Sequence, residues 1–278
     1  ASFTGFVNGE NPSVLSGVPV LSTTAATNSP VGQYVITVTN GTLSSPNYTF
    51  TGFSNGVLSV AQALLTVSAN NQFRLYGETN PVLTASFSGF VNNETTNVLS
   101  GAPALSTTAT TNSPVGPYAI TITNGTLSAT NYAFAFSNGV LTVGHASLTV
   151  TANSQFRLYG ATNPIFTATI NGFVNGETTD VLPGPPSLTT TATTNSPVGP
   201  YTIVATNGTL AATNYTFAFN NGLLTVGQAL LTISANNQFR LYGGTNPPLT
   251  ARFSGFVNGE NQSVLSGTPA LSTAAATN

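Results

Sequence analysis

The chain has 278 residues, 40% of them apolar and 9% aromatic, a globular composition long enough for two or three ordinary domains. Only 4% are charged, against roughly 25% in ordinary soluble domains; four arginines, six carboxylates and no lysine leave a net charge of −2, which excludes an electrostatic surface for nucleic acid or an anionic membrane. Cysteine is absent, which excludes disulfides, thiolate metal sites and cysteine nucleophiles.

The elements recur with a period of 83 residues, and those of residues 63–145 stand for the rest. Leu65 and Val67 alternate with Thr66 and Ser68, which predicts a first strand. Asn70 to Gly77, closed by Asn80-Pro81, reads as a structured loop. Leu83, Ala85 and Phe87 form one face of a second strand. Asn92 to Gly101 is irregular with one helical turn, anchored by Val98 and Leu99. Leu105, Thr107 and Ala109 belong to a Thr-rich third strand, Pro114 to Pro117 turns the chain, and Tyr118, Ile120 and Ile122 mark a fourth. Asn124-Gly125 follows, the strongest short hairpin signal, because a type I′ turn needs positive φ at both central residues. Tyr132, Phe134 and Phe136 share one face of a fifth strand, and Asn138-Gly139 predicts a second hairpin into a sixth, Val140 to Val143. Asn207-Gly208 and Asn221-Gly222 are the same turns one period later. The class is therefore all-β, with about six short strands per unit.

The period divides the chain into a partial repeat, 1–62, two complete ones, 63–145 and 146–228, and a second partial one, 229–278. The two complete units agree at 60 of 83 positions, so they are near-copies of one module. Tyr48-Thr-Phe-Thr-Gly-Phe53 carries one residue more than Tyr132 to Phe136, which reads as a β-bulge at Gly52. Residues 1–62 and 229–278 overlap over 28 aligned positions. Strand exchange between molecules would need little such redundancy, so the chain reads as a window on a longer array. Only Gly144-His145-Ala146-Ser147 separates the last strand of one unit from the first of the next, with no flexible linker. Neighbouring units are then coupled nearly rigidly, as a rod of about 30 Å per unit. No stretch approaches 18 apolar residues, so no membrane span is expected in this window.

The groups that most catalytic schemes require are scarce. His145 is the only histidine, and its counterparts are Gln62 and Gln228, so it reads as a surface residue at a junction. Asp180 is the only aspartate, and the carboxylates are spread one or two per unit, too thin for a calcium cage or a triad. Without lysine, isopeptide clamps are excluded, so stiffness must come from packing and hydrogen bonds. No enzyme activity, cofactor or metal is expected. One charged constellation recurs: Arg74, Arg157 and Arg240 each precede a glutamate by 20 residues, Glu94, Glu177 and Glu260. It reads as a structural pair tying the Phe-Arg-Leu-Tyr-Gly loop to the Gly-Phe-Val-Asn turn, in preference to a clamp for a ligand carboxylate or sugar. Tyr76, Tyr159 and Tyr242 lie in that loop, with core or turn packing favoured over stacking on a carbohydrate.

The unit Ala146-Ser-Leu-Thr-Val-Thr-Ala152, Tyr159-Gly160-Ala-Thr-Asn-Pro164, Gly172-Phe-Val-Asn-Gly-Glu177, Ser196-Pro-Val-Gly199-Pro-Tyr201, Gly208-Thr-Leu210, Asn214-Tyr215 and Asn221-Gly222-Leu-Leu-Thr-Val226 resembles the MBG domain, YGX type. The resemblance covers the whole chain. It implies a mostly-β module, β-grasp-like with a very short helix, occurring in tandem in large bacterial secreted and cell-surface proteins, many adhesin-like; the strand count fits a small sandwich equally. The expected function is a non-enzymatic structural repeat region of a long extracellular fibre or adhesin stalk, a stiff spacer or filament-forming segment. Expected partners are neighbouring repeats, identical chains in filaments or bundles, and host or environmental glycans. The alternative is a multivalent carbohydrate- or surface-binding array.

Overall fold

The computed structural model describes residues 1–276. The chain divides into two compact units: the first comprises 1–74, 78–110 and 116–143, and the second 75–77, 111–115 and the chain from Gly144 onward.

In the first unit β1 (Val20–Thr23), β2 (Gly32–Thr39) and β3 (Gly56–Val60) form one sheet in that order. The strands of residues 63–144 follow: β4 (Ala63–Ala69), β5 (Gln72–Leu75), β6 (Ala85–Ser88), β7 (Ala104–Thr107), β8 (Gly116–Thr123), β9 (Tyr132–Ser137) and β10 (Gly139–Gly144). They build two sheets, β6-β4-β9 and β5-β10-β8-β7. Val67 and Ala69 of the first sheet pack with Ile120, Ile122 and Leu141 of the second, and Phe87, Leu105 and Phe134 close the cluster. The core therefore lies between two sheets, the arrangement of a small sandwich. Leu65, Val67, Ile120 and Leu141 are fully shielded, and each such side chain contributes about 1.5–3 kcal/mol.

The second unit repeats this plan. Its strands are β11 (Ala146–Ala152), β12 (Gln155–Leu158), β13 (Ala168–Asn171), β14 (Ser187–Thr189), β15 (Gly199–Thr206), β16 (Tyr215–Asn220) and β17 (Gly222–Gly227), in sheets β13-β11-β16 and β12-β17-β15-β14. β18 (Thr232–Ala235) and β19 (Ala251–Ser254) form an antiparallel pair. Single 3-10 turns, such as Thr96–Val98 and Thr179–Val181, are the only helical elements among the described residues. Thr95 and Thr178 cap them, each hydroxyl accepting from the backbone two residues on.

Each complete repeat has seven strands, not six. The extra one is β5 or β12, in the segment expected to be a loop. Arg74 is 2% exposed and Phe73 is 61% exposed. The charged residue points inward and the aromatic one outward, the reverse of the pattern that marks a strand in sequence.

The Asn-Gly expectations also need correction, because the flanking strands do not pair. Asn124-Gly125 does turn the chain, with Leu127 N–H donating to the Asn124 carbonyl (2.9 Å) and Gly125 at φ +54°. It leads from β8 to β9, however, which lie in different sheets. Asn207-Gly208 does the same between β15 and β16. Asn138-Gly139 is no turn: one residue separates β9 from β10, and the chain passes straight from one sheet into the other. The glycine is required by close approach, since a Cβ on Gly139 would lie 2.6 Å from the Ala69 carbonyl oxygen. Gly222 stands in the same relation to Ala152, and Asn138 and Asn221 accept from Ile122 N–H and Ala205 N–H, each at 3.1 Å.

The crossing gives the repeat a long parallel seam. β11 runs parallel to β16 from Ala146↔Tyr215 to Thr151↔Asn220, and β12 parallel to β17 from Gln155↔Leu224 to Leu158↔Gly227. The partner is 69 residues away throughout, so the first and last strands stay neighbours through both sheets. β4 and β9 keep the same offset, Ala63↔Tyr132 to Ser68↔Ser137.

In the partial repeat 1–62 the counterpart of β4 falls before Ala1. Residues 1–4 and 48–53, which match β6 and β9, are not in strands, so the bulge expected at Gly52 has no strand to sit in. A cavity of about 870 Å³ lined by Phe3, Phe6, Leu15, Ile36 and Phe50 lies beside them.

Candidate functional site: the inter-repeat junction

Within the second unit, the loop after β5 meets the following repeat. Tyr76 N–H donates to the Gly144 carbonyl (2.8 Å), which extends the β5–β10 ladder by one residue. Gly77, at φ +85°, donates to the Thr111 carbonyl (3.2 Å). The Tyr76 ring is buried and packs edge-on against Tyr215, with centroids 5.6 Å apart. Its hydroxyl donates to Glu177 Oε1 at 2.7 Å, and the Tyr215 hydroxyl donates to Glu177 Oε2. Tyr215 also accepts from Val174 N–H (3.1 Å). One carboxylate is thus held by two phenols, one from each repeat.

Gly77 serves this contact in two ways. It adopts a left-handed conformation open to glycine, and a Cβ there would overlap the Val174 methyl groups. Two amides complete the junction: Asn175 Nδ2 donates to the Thr111 carbonyl (3.3 Å), and Asn214 Oδ1 accepts from Val115 N–H (3.1 Å). Burial, followed by the bond to Glu177, raises the Tyr76 hydroxyl above the ordinary phenol range. The same causes push Tyr215 up to about 12. Both phenols stay protonated donors across the neutral range.

The loop after β12 repeats three of these contacts. Tyr159 donates to Glu260 Oε1 at 2.7 Å, Gly160 (φ +80°) lies against Val257, and Asn258 Nδ2 donates to the Thr194 carbonyl (3.2 Å). The recurring Tyr-Gly pair is the motif after which one β-repeat family is described. A family model, the MBG domain (YGX type), matches residues 1–59, 65–142, 148–225 and 231–278. The chain belongs to this family. No curated protein matches it.

The MBG repeats do not join Arg to Glu as expected. Arg157 Nε donates to Asn163 Oδ1 (2.7 Å), Nη1 to the Leu158 carbonyl (3.1 Å) and Nη2 to the Thr193 carbonyl. Glu177 accepts from Tyr76 and Tyr215 instead, and Glu260 from Tyr159. Glu94 accepts from Tyr132, while Arg74 donates to Asn80 and the Thr110 carbonyl. Arg240 reaches the Gly244 and Ala276 carbonyls. Any two positions of a repeat keep a fixed offset, so the 20-residue spacing held no information about contact. The loop and the Gly-Phe-Val-Asn turn are indeed tied together, but by tyrosine and across repeats. The arginine supports its own loop: it binds Thr193, next to the Thr194 carbonyl that receives Gly160 and Asn258.

Sequence reasoning missed Val174, Asn175, Asn214 and the bridging role of Glu177. The available signal was a glycine and a tyrosine side by side in every loop, residues that a solvated loop does not require. His145 is exposed between β10 and β11. Tyr242 is 98% exposed. Among the described residues no three His, Asp or Glu side chains gather in a way that could hold a metal ion.

Proposed function

We propose that this chain is a non-enzymatic spacer of an extracellular fibre or cell-surface stalk, in which the Tyr-Gly loop of each MBG repeat locks the orientation of the next. The observation that carries the reading is the recurrence, atom for atom, of the Tyr76–Glu177 and Gly77–Val174 contacts in Tyr159–Glu260 and Gly160–Val257. An aromatic edge contact contributes about 0.5–1.5 kcal/mol beyond its area, and hydrogen bonds to a charged group about 1.5–3 kcal/mol. Tandem membership of this family and a nearly uncharged sequence support an exported, repetitive role, and lateral association into bundles faces little charge repulsion.

Small-angle scattering of the chain tests the reading: a stiff particle gaining about 30 Å per repeat is expected, and a freely jointed profile would refute it. One observation favours the second reading, multivalent glycan binding. Phe73 and Phe156 occupy the same place in successive repeats and are 61% and 60% exposed. Retention on immobilised glycans that is lost on replacing both with Ala would shift the assignment to that reading.

A further inference from the structure

We infer that each MBG repeat is a mechanical clamp that bears tension along the chain, a role distinct from holding a fixed spacing. The argument rests on the direction of the strands. In the third repeat the chain enters at Ala146, at the start of β11, and leaves at Gly227, at the end of β17. β11 and β16 are parallel neighbours, as are β12 and β17, in one continuous register. A pull on the two chain ends therefore drags β11–β12 toward the start of that seam and β16–β17 toward its end. The two runs are sheared along their common axis.

In shear, the evenly spaced bonds of a parallel ladder are all stretched together and must fail almost at once. In an antiparallel pair pulled apart from its open end, each bond fails alone. The seam is reinforced by the core on its inner face and by side-chain bonds across it. Leu148, Val150, Leu224 and Val226, which alternate along it, are all fully shielded or nearly so. Leu223 N–H donates to Ser154 Oγ (3.1 Å) and Asn220 Nδ2 to Thr151 Oγ1 (3.4 Å) across the crossing between sheets, where the backbone ladder is interrupted. The second repeat has the same plan, with Val140 N–H donating to Asn71 Oδ1 (2.8 Å) at that crossing. Forced unfolding is governed by the barrier and not by equilibrium stability, so this topology yields high resistance even in a module of ordinary stability.

The absence of native cysteine makes the test direct. In the full chain, His145→Cys with Gln228→Cys places pulling handles at exposed positions flanking the third repeat, in the shear direction. Ser147→Cys with Asn171→Cys places them at the open end of the antiparallel β11–β13 pair, where Thr149 faces Asn171. Single-molecule force spectroscopy at one loading rate should give a several-fold higher rupture force for the first pair. Its release should be roughly 300 Å, from ~3.6 Å per extended residue. Equal forces in the two directions, or a weaker shear direction, overturn the clamp. Stiffness in scattering is a separate readout, so the clamp can fail while the spacer reading stands, and the reverse.

Discussion

The first and second junctions of this chain share most of their contacts. At the first, Asn131 Oδ1 accepts from Val31 N–H (3.0 Å), as Asn214 does from Val115 at the second. Tyr132 donates to Glu94 as Tyr215 does to Glu177. Among the described residues Tyr132 is the phenol on Glu94, whereas Glu177 is reached by Tyr215 and also by Tyr76 of the preceding repeat. Val91 is 46% exposed, whereas Val174 is half-buried against Gly77. In both junctions the turn, the carboxylate and its first tyrosine come from one repeat, and at the second the preceding repeat adds Tyr76.

The substitution expected to separate the two junctions most is Gly77→Val. Left-handed strain costs about 1–3 kcal/mol and overlap with Val174 about 1–3 kcal/mol more. Amide exchange over Val174–Glu177 should rise by orders of magnitude, while exchange over Val91–Glu94 should not change. Tyr76→Phe comes next. It keeps the ring against Tyr215 and removes one bond to a partly exposed carboxylate, a loss of about 1–2 kcal/mol in urea unfolding. A loss as large as that of Gly77→Val would mean that the hydroxyl, not the close approach of backbones, dominates.

Alkaline titration sharpens the contrast without mutation. An ordinary phenol ionises near 10, and Tyr215 is held at about 12, chiefly by burial and then by its bond to Glu177. Tyr76 is raised for the same reasons. Between those values the folded junction keeps protons that the unfolded chain has lost. The stabilisation is therefore complete below pH 10 and disappears as pH rises through about 12. Protection of Val174–Glu177 should fall over this window, and Tyr76→Phe should make the fall shallower. Val174→Ala should be milder, about 1 kcal/mol at a half-buried site, with Val91→Ala within about 0.5 kcal/mol of zero.

Much of the fold was legible in the residues. Alternation located β4, β8 and β9, because Val67, Ile120, Ile122 and Phe134 face one core, although Phe136 is exposed; the period marked the repeats; and a single helical turn near Val98 was found. What was not legible has a common physical cause. Alternation reports which face of a strand is buried but not which sheet the strand joins, so the Asn138 crossing looked like a hairpin. β5 was read as a loop because a buried arginine satisfied by carbonyls looks polar in sequence. The junction stayed hidden because its parts, Tyr76 and Glu177, lie 101 residues apart, beyond the span of any one repeat.

That last point yields the smallest expected effect and the most discriminating comparison. A double-mutant cycle on Arg157→Gln and Glu177→Gln should show coupling within about 0.3–0.5 kcal/mol of zero, since the two side chains share no partner. The cycle on Tyr76→Phe and Glu177→Gln should show coupling of about 1 kcal/mol or more, because both changes remove the same bond. Both cycles contain Glu177→Gln, so any general effect of losing the carboxylate cancels between them. If the arginine cycle couples as strongly as the tyrosine cycle, the carboxylate acts through a charge–charge field and not through a shared bond. If only the tyrosine cycle couples, the contact between repeats is a directed hydrogen bond, and a module can be exchanged at will provided its Tyr-Gly loop and the next repeat's glutamate are kept.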